Sequence, residues 1–229
     1  MIMRIVCLGI GYLCGLFQTS YIYGMTKGID IREHGSGNAG TTNMLRTMGI
    51  KAGLITFLGD IFKTIAAVLI CLAIFYRRDV NPEMLQLIKI YAGAGAILGH
   101  NFPFYLKFKG GKGIACTAGM IITLDPYMVG LGLLIFFGIF FTTHYVSLGS
   151  ICLYISFLAE TIIWGALRFG FFGSITPGLA LECDIVVGLL CAMALFRHRA
   201  NMVRLIRHEE KKTYLSKKNK QDPKGENEA

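Results

Sequence analysis

Charge is what this chain has least of. Asp, Glu, Lys and Arg make up 16% of its 229 residues, where a soluble domain carries about a quarter. A continuous water-exposed surface is thereby excluded, and with it a large soluble domain. Acids are the scarcer sign, 14 against 23 Lys and Arg, and the net charge of +9 resides mostly in the stretch from Arg197 onward. Such a basic end reads as a solvated segment held near anionic lipid headgroups. Nucleic acid is a poor partner for a chain that is 54% hydrophobic. The seven cysteines contain no Cys-x-x-Cys pair and no Cys/His ligand spacing; they read as small packing residues, and no metal is expected. There is no clear repeat. No small-x-small cleavage site follows the first apolar run, which reads as a retained anchor.

What the chain does have is long apolar runs. They fall at 5–23, 53–76, 85–99, 114–124, 126–141, 146–167 and 185–196, the pattern of an all-α, polytopic integral membrane protein. Several are shorter than the roughly 20 residues a crossing needs and are extended by their neighbours. The apolar stretch 114–141 divides at Asp125-Pro126, because the residue before a proline avoids helical geometry. That division gives about seven transmembrane helices. With the N-terminus outside and the C-terminus cytoplasmic, most Lys and Arg face the cytoplasm, leaving Arg4, Arg77, Arg78, Lys89 and Arg168 outside. Arg77-Arg78 runs against the trend, but six crossings would strand the basic tail opposite the polar loops. Residues 1–210 are expected to form the membrane domain and 211–229 a basic, disordered cytoplasmic tail.

Three polar islands remain once the runs are set aside, all on the predicted cytoplasmic side. The first, 33–46, combines Gly35, Gly37 and Gly40 with Ser36, Asn38, Thr41, Thr42 and Asn43, and ends on Arg46. Glycines let backbone N–H groups converge on an anion, and Arg46 supplies a planar opposing charge. Gly35-x-Gly37-x-x-Gly40 formally matches a dinucleotide fingerprint, but no strand precedes it. The second island runs from Gly99-His100-Asn101-Phe102-Pro103 to Lys107, Lys109-Gly110-Gly111-Lys112-Gly113. It is not a Walker A loop, since Gly113 stands where Ser or Thr belongs. A helix N-terminus after Gly-Lys-Gly is nevertheless a ready anion site. The third island is Arg197-His198-Arg199-Ala200-Asn201-Met202-Val203-Arg204-Leu205, readable as an interfacial helix. Asp60 and Lys63, spaced i,i+3 inside the second run, read as a structural intramembrane ion pair. His144 reads as a helix-end residue.

Two glycine-rich anion cradles on one face call for two phosphate-bearing groups, beside spans apolar enough to admit an acyl chain. Group transfer onto a water-soluble phosphate compound is the natural chemistry. None of the five histidines begins a His-x-x-x-x-Asp sequence, so the usual His-Asp acyltransferase arrangement is absent.

At these residues the chain resembles a known family. Ser36-Gly-Asn-Ala-Gly-Thr-Thr-Asn-Met-Leu-Arg46, Gly99-His-Asn-Phe-Pro with Lys109-Gly-Gly-Lys-Gly113, and His198-x-x-Asn201-x-x-Arg204-Leu205 resemble the three signature motifs of bacterial acyl-phosphate-dependent glycerol-3-phosphate acyltransferases. The resemblance covers residues 1–210 and implies a seven-helix protein of the bacterial cytoplasmic membrane, with its active site on the cytoplasmic side. It implies transfer of an acyl group from acyl phosphate to the 1-hydroxyl of sn-glycerol 3-phosphate, giving lysophosphatidic acid and phosphate, the first step of phospholipid synthesis. No cofactor is implied; an acyl-phosphate synthase is the implied functional partner. By motif, Ser36, Lys112, His198 and Asn201 are the implied catalytic residues. Gly35, Gly37, Asn38, Gly40, Thr41, Asn43, Arg46, Lys107, Gly110, Gly111, Gly113 and Arg204 are the implied phosphate and substrate ligands. The family's third motif usually has an acid where Ala200 stands and a glycine where His208 stands, while Glu210 fits its final position. Rival readings are an anion transporter and a structural membrane protein; a transporter would show paired repeats and broken helices at the midplane.

Overall fold

The computed structural model describes residues 1–76 and 81–214. Arg77 and Arg78, and the tail from 215 to 229, lie outside the described residues. Within them the chain is helical with no strand. In order come α1 (Ile2–Gly15), α2 (Thr19–Met25), α3 (Thr41–Met48), α4 (Ile50–Phe75), α5 (Pro82–Asn101), α6 (Ile114–Leu124), α7 (Pro126–Thr143), α8 (Val146–Leu167), α9 (Pro177–Arg197) and α10 (Arg199–Ile206). Five segments are long and apolar enough to cross a membrane: Ile2–Met25, Ile50–Phe75, Pro126–Thr143, Val146–Ser174 and Pro177–Arg197. The 20-residue α5 is diluted by Glu83, Gln86 and Lys89, and α6 has only 11 residues.

In lipid there is little hydrophobic gain from bringing helices together, so small residues and satisfied polar groups decide the packing. The pair α1–α5 follows that rule. Gly11-x-x-x-Gly15 faces Gly95-x-x-x-Gly99; a Cβ on Gly11 would lie 2.2 Å from the Ala92 carbonyl oxygen, and one on Gly95 2.2 Å from that of Leu8. The two backbones therefore touch, and any larger residue would push them apart. A second core forms where α5, α6, α8 and α9 meet, around Ile97, Met120, Phe157 and Val187.

The first apolar run is not one continuous helix. It breaks at residues 16–18, and the break serves buried charge. The freed Phe17 carbonyl accepts from Lys63 Nζ at 2.8 Å, and the Gln18 amide donates to the His100 carbonyl at 2.8 Å. Lys63 Nζ also lies 2.8 Å from Asp60 Oδ1 and 2.9 Å from His100 Nδ1, while Thr19 Oγ1 donates to Asp60. All three ammonium protons are thus used. Because an ammonium only donates, His100 Nδ1 is an acceptor and its proton sits on Nε2. The ion pair read from the sequence is present and nearly solvent-free; removing one member of such a pair costs about 3–5 kcal/mol. Cys116 lies near Asp60 and His100, with potential ligand atoms within 4.8 Å of one another, but the Lys63 ammonium already supplies the cation there.

The chain divides at Asp125-Pro126 as its sequence indicates. Asp125 Oδ1 caps α7 by accepting from the Tyr127 N–H at 2.8 Å, and Oδ2 accepts from the Phe171 N–H at 2.8 Å. The last long apolar helix, α9, starts at Pro177, eight residues before its apolar run, and so carries Glu182 and Asp184 inside it. Glu182 is tolerated because Arg4 forms a bidentate pair with it and the Tyr91 hydroxyl donates at 2.7 Å. Polarity at that end conceals a helix whose acid is neutralised by α1 and α5.

Candidate functional site

The three polar islands converge on one cleft of about 830 Å³. Two helices begin there, α3 behind Gly40 and α6 behind Gly113. First-turn amides have no partner within their own helix, and the helix dipole adds positive potential at that end. Thr41 Oγ1 lies buried without a partner among the described residues, at the start of α3. Phe57, Ile114, Phe136 and Val146 make part of the wall apolar.

The first island folds upon Asn43, which is buried. Its Oδ1 accepts from the Ser36 N–H at 2.9 Å, and its Nδ2 donates to the carbonyls of Ile31 and His34 at 3.1 and 2.9 Å. The N–H groups of Gly37 and Gly40 donate to His34 and Asn38 carbonyls. Asn43 and the amides of Gly37 and Gly40 thus brace the loop, and Gly35, Gly37, Gly40 and Asn43 also line the cleft. Gly35 is required at φ +62°, with a Cβ there falling 2.2 Å from Asn43 Oδ1. Ser36 and Asn38 line the cleft together with Thr41 and Arg46.

The second island is stacked on His100. The N–H groups of Gly110 and Gly111 donate to the Asn101 and His100 carbonyls at 3.3 and 3.1 Å. Arg197 Nη2 takes their carbonyls at 3.0 and 2.5 Å. Both glycines therefore brace the loop. A Cβ on Gly111 would stand 2.0 Å from His100 Nε2, so close approach explains the glycine. Gly111 and the exposed Lys107 are not among the residues lining the cleft, whereas Gly110, Lys112 and Gly113 are.

The third island supplies the polar network. Lys112 Nζ donates to Asn201 Oδ1, Asn201 Nδ2 donates to Glu210 Oε1 at 2.6 Å, and Arg204 Nε donates to Glu210 Oε2 at 2.7 Å. Ser147 Oγ completes the carboxylate at 2.9 Å. A lysine on one side and a carboxylate on the other fix the Asn201 amide orientation. Burial drives the Lys112 pKa down to about 8, helped by Arg204, Arg197 and Arg46 and opposed by Glu210. His198 is buried, and burial with the nearby Lys112 charge lowers its pKa to about 4. Its Nδ1 lies 2.8 Å from the Ala194 carbonyl. A carbonyl only accepts, so Nδ1 carries the proton and Nε2 offers a lone pair.

Glu210 was visible in the sequence only as a motif remnant, yet it ties Asn201, Arg204 and Ser147 together. Arg197 and His100 were missed as the two supports of the second loop, although both stand inside the polar islands.

A family model described as glycerol-3-phosphate acyltransferase matches residues 5–208. The chain belongs to this family. Among curated acyltransferase relatives, glycerol-3-phosphate acyltransferase 2 of Bacillus cereus is 36% identical over 212 residues, covering 92% of this chain and 96% of its own. The glycerol-3-phosphate acyltransferase of Alkaliphilus metalliredigens is 41% identical over 202 residues, covering 88% and 91%. The crystal structure of PlsY, an integral membrane glycerol 3-phosphate acyltransferase, in its glycerol 3-phosphate form aligns with a TM-score of 0.75 at 28% identity, over 92% of this chain and 96% of that one. Its lysophosphatidic acid form aligns with a TM-score of 0.73. Like that family member, this chain is an integral membrane protein built from apolar helices.

Proposed function

We propose that this chain transfers an acyl group from acyl phosphate to the 1-hydroxyl of sn-glycerol 3-phosphate, releasing lysophosphatidic acid and inorganic phosphate. The observation that carries the reading is the meeting of two helix N-termini, Lys112, Arg46 and Arg204 in one cleft with an apolar wall. Such a cleft suits two phosphates and one acyl chain. The family membership supports glycerol 3-phosphate as acceptor; the donor is inferred from the second anion cradle and the motif resemblance.

In this reading Ser36, Asn38, Thr41 and the amides opening α3 hold one phosphate with Arg46. Lys112, the amides opening α6 and Arg204 hold the other, and Asn201 orients the glycerol phosphate. The acceptor hydroxyl oxygen attacks the acyl carbonyl carbon, the carbon–oxygen bond to the phosphate breaks, and the hydroxyl proton ends on the released phosphate. His198 Nε2 accepts the hydroxyl's hydrogen bond and aims it. With a pKa near 4 His198 is a weaker base than a phosphate whose second pKa is about 6, so the leaving group is the better proton acceptor. Positioning and preorganised positive charge supply the catalysis.

Residues 1–210 are read as one membrane-embedded catalytic domain with seven crossings, an external N-terminus and a cytoplasmic site, and the basic 211–229 as its cytoplasmic extension. The charge distribution supports that orientation. A bacterial cytoplasmic membrane and a functional link to an acyl-phosphate synthase follow from the donor. Purified protein in lipid nanodiscs, given palmitoyl phosphate and glycerol 3-phosphate, is expected to form lysophosphatidic acid and phosphate in equal amounts. Turnover with a palmitoyl thioester but none with palmitoyl phosphate would overturn the donor assignment. No turnover with either would overturn the acyltransferase reading.

A further inference from the structure

The segment after α10 carries only the closing positions of the third motif, His208 and Glu210, and lies at and beyond the end of the family match at residue 208. His208 adopts a left-handed conformation, φ +57°, and the Glu209 N–H donates to the Arg204 carbonyl at 2.8 Å. The chain thus reverses over the last turn of α10 and runs back across the cleft wall. Glu210 docks on Asn201, Arg204 and Ser147. Three residues later the Thr213 N–H donates to the His144 carbonyl at 2.9 Å, and the Tyr214 ring lies 4.7 Å from the His144 ring. The strap is therefore pinned at both ends, to α10 and to the turn between α7 and α8.

Between those pins it holds Arg46. Arg46 Nε and Nη2 donate to Thr213 Oγ1 at 3.2 and 2.6 Å, and Nη2 donates to the Lys211 carbonyl at 2.8 Å. Thr213 is buried, with 3% of its surface exposed. Both acceptors are neutral, and among the described residues no carboxylate lies within ion-pair distance of Arg46. A carboxylate would orient the guanidinium and also cancel its charge; a hydroxyl and a carbonyl orient it and leave the charge for a ligand. The strap occupies the Nε and Nη2 side, and Nη1 has no partner among the described residues. Two hydrogens of a cation lining the cleft are left for an anion.

We propose that Thr213 is a positioning residue: through its hydroxyl, the strap fixes the Arg46 guanidinium so that Nη1 presents to a substrate phosphate. The proposal rests on the reading that Arg46 binds a substrate phosphate. Thr213 does not itself touch substrate, and its effect is on the geometry and charge of Arg46 alone. Loss of the hydroxyl leaves a mobile, more strongly hydrated guanidinium, which weakens ground-state and transition-state binding alike.

The test uses full-length protein in nanodiscs, with palmitoyl phosphate and glycerol 3-phosphate each varied in turn. Thr213→Val, which keeps shape and removes the hydroxyl, is expected to raise KM for one of the two phosphates by about three- to tenfold while kcat stays within about twofold. Thr213→Ser, which keeps the hydroxyl, is expected to restore that KM. Thermal unfolding of each variant separates this from a folding defect, which lowers the amount of active protein and hence kcat without moving KM. Unchanged KM values in Thr213→Val, with wild-type turnover intact, would overturn the proposal while leaving the acyltransferase reading standing. A lower KM would also overturn it, by showing that Thr213 competes with substrate for Arg46. Inactive wild-type protein marks the failure of the underlying reading, a different result from either.

Discussion

At the residue scale the decisive group is Lys112. Its pKa near 8 arises chiefly from burial of the ammonium, opposed by Glu210 and reinforced by Arg204, Arg197 and Arg46. The charged form predominates below about pH 8 and is lost above it. If Lys112 holds a phosphate, kcat/KM, which reports the free enzyme, is expected to fall about tenfold per pH unit above pH 8. The limb in kcat should lie at higher pH, because a bound dianion favours the ammonium. His198, at about 4, contributes no limb between pH 5 and 9. Lys112→Arg keeps a cation whose pKa exceeds 12, so its kcat/KM profile should stay flat through pH 8 to 10 even if the rate itself drops. A limb that persists in that variant would assign the titration to another group.

Residue types at this site were legible because the chemistry restricts them: phosphate recognition calls for glycine, hydroxyl and cation, and apolar spans make such residues conspicuous. Their division of labour was not legible. Whether an N–H faces a ligand or closes its own loop depends on backbone angles that composition does not encode. Hence Asn43 and the amides of Gly37, Gly40, Gly110 and Gly111 also brace their own loops, while Glu210 and Arg197, single residues without a pattern of their own, organise the site.

At the element scale, apolar runs predicted helices well but misjudged where buried charge is compensated. The break at residues 16–18 and the early start of α9 both depend on partners far away in sequence, Lys63 and His100 in one case and Arg4 in the other. A window of hydropathy cannot see such partners. The end of α10 shows the converse. The family resemblance implies glycine where His208 stands, and the structure supplies the reason, since that residue caps α10 in the left-handed region at φ +57°. An L side chain there costs roughly 1–2 kcal/mol relative to glycine. His208→Gly is therefore expected to raise the thermal midpoint of the purified protein by about 2–4 °C. A lowered midpoint would show that the imidazole makes a contact worth more than the strain.

At the scale of the whole molecule, the composite site follows from topology. Three islands separated by up to 150 residues of sequence meet because α3, α6 and α10 all begin at the same end of the bundle, and α6 is the element that decides how. Eleven residues span about 16 Å, roughly half of a 30 Å hydrocarbon core. A helix that short can sit at membrane depth only where its ends are covered by protein or line a polar cavity. Its N-terminus opens into the cleft, and its C-terminus meets the Asp125 turn held by the Phe171 N–H. The proposed topology counts α6 and α7 as separate crossings, which with α8 puts three crossings between Lys109 and Arg168. If α6 and α7 together made a single crossing, two crossings would separate residues 109 and 168 and both would face the same side, so their relative accessibility tests that count. The seven native cysteines are buried or half-buried, which keeps background low. In intact cells an impermeant maleimide is expected to label Arg168→Cys and to reach Lys109→Cys only after permeabilisation. Labelling of both from one side would remove a crossing between them, and labelling of Lys109→Cys alone from outside would invert the whole protein and place the cleft away from any cytoplasmic substrate.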